Sequence, residues 1–260
     1  SICDPGDEVI IPEPFYANYN GFALASDVNV IPITSKIEDN FALPSIHEFE
    51  KKINGKTRAI LLCNPCNPTG YVYSQEEITN IANLAKKNDL FIVVDEVYRE
   101  FIYTDTKHFS ILEDEKFSEN AILIDSISKR YSLCGARVGF IVSKNSEFID
   151  TCLKFALARL SPPTLALIAA NHALSSSDSY IKNVIREYYQ RREVIIDELS
   201  KIDNIKFSNP MGAFYSIIKL PIENAEDFAK FLLTDFSYKN QSVMLSPASG
   251  FYSSENYGKD

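Results

Sequence analysis

Short runs of Val, Ile and Leu alternate along the first half of the chain with stretches whose apolar residues recur at helical spacing. The apolar runs are residues 9–11, 28–33, 59–63, 90–95, 121–125 and 138–142. Their length, β-branched content and flanking turn residues predict strands. They are apolar almost without interruption, which implies burial on both faces, as in a parallel sheet covered by helices. Residues 45–53 and 75–88 carry helical spacing between them. This alternation predicts an α/β domain, a mostly parallel central sheet with crossover helices on its faces. The pattern changes after residue 142. Residues 147–160 predict a helix that Pro162-Pro163 ends, residues 164–174 another, and residues 178–199 a long amphipathic one. Residues 205–207 and 213–219 then predict strands, and 225–235 a helix. The tail is a smaller α+β unit. The expected division, within the long helix, is 1–182 for the large domain and 183–260 for the small one.

In open α/β sheets, ligands collect outside the carboxyl ends of the strands. Three of the predicted strands end on polar residues. Asp95 closes the run 90–95, Ser126 to Lys129 follow the run 121–125, and Asn64 to Gly70 follow the run 59–63. The set offers an amine on Lys129, a carboxylate on Asp95, and the Ser126 and Ser128 hydroxyls with the Arg137 guanidinium. An amine for an aldehyde, a carboxylate for a ring nitrogen and donors for a phosphate are what a pyridoxal-phosphate site needs. Each residue also has a plainer reading. Asp95 can cap a helix in the segment after it. Tyr98 and Asn67 can reach a phenolic oxygen, but also suit a packed aromatic and an Asn-Pro turn. Arg137 presents paired planar donors to an anion, and Gly135 and Gly139 bracket it, which favours tight backbone packing over a free surface cation. Tyr16 follows the first strand, where an aromatic can stack on a ring or simply pack in the core.

Composition narrows the classes. The chain has 260 residues, 45% of them hydrophobic and 23% charged, with a net charge of −9. The absence of a basic stripe argues against nucleic acid or an anionic membrane as partner. No apolar run is long enough to span a bilayer. Five cysteines are scattered at 3, 63, 66, 134 and 152. Cys63 and Cys66 have metal-like spacing without a second Cys or His pair, so reduced thiols in a cytoplasmic protein are expected and no metal site. The chain starts without Met and without a signal-like segment, and reads as an interior piece of a longer protein.

Taken in order, the motifs resemble the class I/II aminotransferases of the fold-type I pyridoxal-phosphate enzymes, within them the aspartate aminotransferase-like group. The residues that carry the resemblance are Pro5-Gly6-Asp7-Glu8-Val9, residues 64–70 (Asn-Pro-Cys-Asn-Pro-Thr-Gly), Asp95-Glu96-Val97-Tyr98, Ser126-Ile127-Ser128-Lys129 with Arg137, Gly212-Ala213-Phe214-Tyr215 and residues 246–250. The resemblance implies pyridoxal 5′-phosphate as cofactor. It implies that Lys129 is the Schiff-base lysine and proton shuttle, and that Asp95 is the partner of the pyridine nitrogen. Tyr98 and Asn67 would bond the phenolic oxygen, Asn67 touching the substrate carboxylate as well. Ser126, Ser128 and Arg137 would bind the phosphate, and Tyr16 would stack on the ring. The implied reaction moves an amino group between an aspartate-like or broader range of amino acids and a 2-oxo acid, in a homodimer when full length. A β-lyase or decarboxylase shares all these residues, and a non-catalytic module on the same fold is the alternative from another class. The family's N-terminal phosphate loop would precede Ser1, and its carboxylate-binding arginine would lie beyond Asp260. The resemblance also makes Glu13-Pro14 and Asn67-Pro68 candidates for cis peptide bonds.

Overall fold

The computed structural model describes residues 1–176 and 178–260. The sheet is built from β1 (Glu8–Glu13), β2 (Asn29–Thr34), β3 (Thr57–Cys63), β4 (Phe91–Asp95), β5 (Ala121–Ser126) and β6 (Gly139–Val142), in the order β2-β1-β3-β4-β5-β6. The first five strands are mutually parallel, and β6 runs antiparallel to β5. Each of the six apolar runs is therefore a strand of one mostly parallel sheet. The direction of β6 follows from its link. Residues 127–138 form only the single-turn α4 (Ile127–Arg130) and a short 3-10 turn, without the long crossover helix that a parallel return usually needs.

The helices around the sheet are α1 (Asn18–Ala25), α2 (Ile46–Lys52), α3 (Gln75–Lys87), α5 (Ser146–Arg159), α6 (Thr164–Leu174) and α7 (Asp178–Leu199). One face of the sheet packs Ile10, Ile60, Leu62, Ile92 and Val94 against Ile78, Ile81, Ala82 and Ala85 of α3. A capping box starts α3, with Ser74 accepting from Glu77 N and Glu77 returning to the Ser74 backbone. The opposite face packs Ala59, Val93 and Ile122 against Phe148 of α5. Each fully buried Ile or Leu adds roughly 1.5–3 kcal/mol to stability. Among the described residues, no helix is long and apolar enough to cross a membrane.

The C-terminal residues add β7 (Lys206–Phe207), β8 (Ile218–Lys219) and α8 (Ala225–Thr234). Here the expected strand over 213–219 is corrected, for only Ile218 and Lys219 pair with β7. The start of that segment is drawn elsewhere: Gly212 bridges Ile102, and Ala213 N donates to the Phe101 carbonyl at 2.9 Å. These contacts press the C-terminal residues onto the strand ends, where Cys63, Tyr98, Phe101 and Ala213 are buried with Val184, Ile185 and Tyr188 of α7.

Gly70 marks the closest approach. Its φ is +71°, and a Cβ there would lie 2.3 Å from Pro210 Cβ. Gly6 also has a left-handed φ, +84°, but nothing lies within 4 Å of its missing Cβ. Gly6→Ala is therefore expected to cost only the left-handed strain, about 1–2 kcal/mol. Gly70→Ala adds overpacking of about 1–3 kcal/mol to a similar strain. Urea unfolding of the two variants measures the difference, and equal midpoints would refute the close approach.

Candidate active site

Parallel pairing sets Cys63 level with Asp95, and Asp95 level with Ile124. The ladder runs one step further through Asn64 N to the Asp95 carbonyl and Glu96 N to the Ile124 carbonyl, both 2.9 Å. Beyond it the chain turns away, and the polar residues of three strand ends gather at one edge. Glu13-Pro14 and Asn67-Pro68 are both cis, as expected, and Asn64-Pro65 is a third cis bond that the sequence did not single out. The Asn64 side-chain oxygen accepts from Tyr73 N at 2.9 Å. Its amide nitrogen, and the amide oxygen of Asn67, are buried without a partner among the described residues. Buried polar atoms are normally paired, so these two are groups in need of a ligand or water.

Asp95 sits at the centre. Its Oδ1 accepts from Val97 N at 3.2 Å and its Oδ2 from the Tyr19 hydroxyl at 2.7 Å. No helix follows it, only a turn through Tyr98, so it caps no helix. Burial pushes its carboxyl above the usual carboxylate range, while the bonds from Tyr19 and Val97 hold it down. Burial likewise pushes the Cys63 thiol well up, keeping it protonated beside Asp95, with Sγ donating to the Pro65 carbonyl at 3.3 Å. Among the described residues Asp95 thus accepts from neutral donors and forms no ion pair.

Tyr98 is 2% exposed, and its hydroxyl lies 2.7 Å from that of Tyr215, with the rings edge to face. Burial raises the Tyr98 hydroxyl far above an ordinary phenol, so it remains protonated. Lys129 Nζ stands 5.7 Å from the centroid of the Tyr98 ring. Ser126 Oγ lies 2.8 Å from Ser128 Oγ and 2.9 Å from the Val138 carbonyl, and accepts from Ser128 N at 3.1 Å. Tyr16 is half-buried, edge-on to Tyr19 at 5.5 Å, its hydroxyl accepting from Asn18 Nδ2 at 2.8 Å.

Asn67, Asp95, Tyr98, Lys129, Tyr16, Ser126 and Ser128 thus line the strand-end edge and the turns leading from it. Arg137 stands apart. It is exposed, has a left-handed φ of +58°, and donates to the Cys134 carbonyl at 3.0 Å. No hydrogen bond joins its guanidinium to either serine among the described residues. Of its two bracketing glycines, Gly139 lies close to the Asp125 carbonyl, whereas Gly135 has open space around it. Sequence reasoning passed over Tyr19, whose only signal was its place three residues after Tyr16. Tyr215 stood in a quoted motif without a role.

The folded value of Asp95 lies above the unfolded one. Its desolvated carboxylate therefore costs stability at neutral pH, a cost that fades as pH falls through the raised value toward the unfolded one. Tyr19→Phe removes a hydrogen bond to the ionised form, about 1.5–3 kcal/mol, and is expected to raise the Asp95 titration further. Carboxyl ¹³C NMR of labelled aspartate measures both midpoints. A lower or unmoved midpoint in Tyr19→Phe would sink this account.

The comparisons with known proteins follow the same geometry. Residues 1–255 match the family model "Aminotransferase class I and II". The aspartate aminotransferase of Bacillus sp. strain YM-2 is 33% identical over 260 residues, covering 96% of this chain and 64% of that protein. The aspartate aminotransferase of Pyrococcus horikoshii is 32% identical over 256 residues, with 96% and 63% covered. The crystal structure of the aspartate aminotransferase from Thermotoga maritima superposes with a TM-score of 0.86 at 32% identity, over 96% of this chain and 64% of that one. The chain therefore spans slightly less than two thirds of the relatives it matches, and over that span it belongs to the class I and II aminotransferase family.

Proposed function

We propose that the full-length protein is a pyridoxal-phosphate-dependent aminotransferase that moves an amino group between an aspartate-like amino acid and a 2-oxo acid. The observation that carries this reading is a half-buried carboxylate, Asp95, whose donors among the described residues are all neutral, at the strand-end edge where Lys129 stands over the Tyr98 ring. An isolated buried carboxylate is unfavourable unless a cation completes it. A protonated pyridine nitrogen is such a cation. The two unpartnered amide atoms, on Asn64 and Asn67, fit a polar ligand at the same edge.

Bound there, the cofactor would supply an electron sink for charge developing at the amino acid α-carbon. Lys129 Nζ would hold it covalently and, once free, carry the α-proton from one carbon to the other. Asp95 would keep the ring nitrogen protonated. Tyr98 and Asn67 would donate toward the phenolic oxygen, Asn67 also facing the substrate carboxylate. Ser126, Ser128 and Arg137 would take the phosphate, which requires the Arg137 side chain to leave the Cys134 carbonyl. Tyr16 would cover the ring. The relatives' names support aspartate as donor, and we infer a cytoplasmic homodimer. Residues 1–182 would form its cofactor-binding part and 183–260 its smaller one.

Borohydride reduction of the loaded full-length protein, followed by peptide mapping, is expected to label Lys129, and label on another lysine would overturn the assignment. Lys129→Ala should abolish transamination of aspartate with 2-oxoglutarate. Asp95→Ala should keep the phosphate-anchored cofactor but slow α-proton removal by about 3–5 kcal/mol, the scale of losing a buried charge partner. Near-normal single-turnover rates in Asp95→Ala would show that the ring nitrogen needs no anion here.

A further inference from the structure

Next to Lys129 in the chain, Arg130 belongs to a cluster of four charges, of which Arg130 and Asp125 are buried and Arg99 and Glu100 partly exposed. Arg130 is 6% exposed and Asp125 7%. Arg130 Nη2 donates to both Asp125 oxygens, at 2.7 and 2.6 Å, and lies 3.2 Å from Glu100 Oε1. Arg99 meets the same two acids, at 3.6 Å from Asp125 and 3.2 Å from Glu100. Two guanidiniums face two carboxylates, so the cluster is neutral as a whole. Buried ion pairs are nonetheless poor sources of stability, because desolvation offsets most of the attraction. Arg130 Nε and Glu100 Oε2 are buried with no partner among the described residues, which weakens a purely stabilising account further.

The connectivity of the cluster suggests what it is for. Asp125 is near the end of β5, Arg130 closes α4, and Arg99 and Glu100 follow Tyr98 in the turn after β4. Lys129 is the residue before Arg130. A four-residue helix has no stability of its own, so the direction of Lys129 must be fixed from outside. Adjacent residues on a helix point about 100° apart. With Arg130 fastened inward to Asp125 and Glu100, Lys129 is turned away from the cluster and onto the Tyr98 ring.

We propose that Arg130, through Asp125 and Glu100, is a positioning residue that fixes the Lys129 amine against Tyr98. The inference rests on the assignment of Lys129 as the cofactor lysine. It separates two ligands. Pyridoxal phosphate bonds covalently to a lysine amine, with loss of water, and its affinity depends on where that amine stands. Pyridoxamine phosphate carries an amine in place of the aldehyde and forms no such bond.

The test uses the full-length protein with the paired substitution Arg130→Met and Glu100→Gln, which removes one cation and one anion and leaves Arg99 facing Asp125. Misplacing a reacting group by about 1 Å can cost up to about 100-fold. The pair is expected to weaken pyridoxal phosphate by about tenfold or more while leaving pyridoxamine phosphate affinity unchanged. If the pair does not fold, Arg130→Lys, which keeps the charge but loses the planar fork, is read in the same way. Equal weakening of both ligands, or of neither, would make the cluster merely structural and overturn the proposal. Borohydride label away from Lys129 in the unsubstituted protein would instead defeat the functional assignment, and this inference with it.

Discussion

The arrangement of the site depends on the parallel register of β3, β4 and β5. Ile60, Leu62, Ile92 and Val94 are fully buried on one face, and Ala59 and Ile122 close the other. A slip of one residue would exchange the two faces of a strand and expose what is now core. Burial thus fixes Cys63, Asp95 and Ile124 at one level. The polar residues that follow inherit that level without any bond of their own having to set it. This is why short loops can carry a site whose geometry belongs to the core.

At that edge two aspartates meet opposite fates. Asp125 is shared between Arg130 and Arg99 and is neutralised within the protein. Asp95, among the described residues, receives a phenol and a backbone amide. Neutral donors stabilise a carboxylate less than a guanidinium does, so Asp95 keeps a raised affinity for a proton or another cation. The fold has paired the charges that hold the frame and left one anion, among the described residues, with neutral donors alone. Such a pattern is unfavourable for folding alone and favourable for binding a cationic ring, which is the physical link between this architecture and the proposed chemistry.

Much of this was legible in the sequence, because buried strands and strand-end polar residues leave composition and spacing as their trace. The runs that form β1, β3, β4 and β5 and the helix over 75–88 follow from burial, whereas the run at 138–142, expected to be buried, forms a strand exposed along its length. The direction of β6 was not legible, since four apolar residues carry no sign of orientation. The 213–219 run was over-read as a strand, because an apolar segment that docks on Phe101 looks the same as one that pairs in a sheet. Tyr19 was missed for a similar reason: an aromatic three residues after another usually marks packing, and only the fold reveals that its hydroxyl ends on Asp95. The Arg137 side chain is exposed and donates to the Cys134 carbonyl.

The site is also held from the far end of the chain. Glu13 is fully buried, and its carboxylate accepts from Thr34 Oγ1 at 2.7 Å, Ser253 N at 2.8 Å and Ser254 N at 3.1 Å. Phe15 N donates to the Phe251 carbonyl at 2.9 Å. The segment that bears Tyr16 and Tyr19 is therefore fastened to residues near 252, while Tyr98 is fastened to Tyr215. Both ties use hydrogen bonds between segments more than one hundred residues apart, each needing the two partners to be in place at once. Closure entropy grows only slowly with loop length, and the Tyr98–Tyr215 tie is packed about by Phe101, Tyr188 and Phe214. The C-terminal residues are thus part of what orients Tyr98 and the segment bearing Tyr19, and a change in their packing reaches the strand-end edge through those contacts.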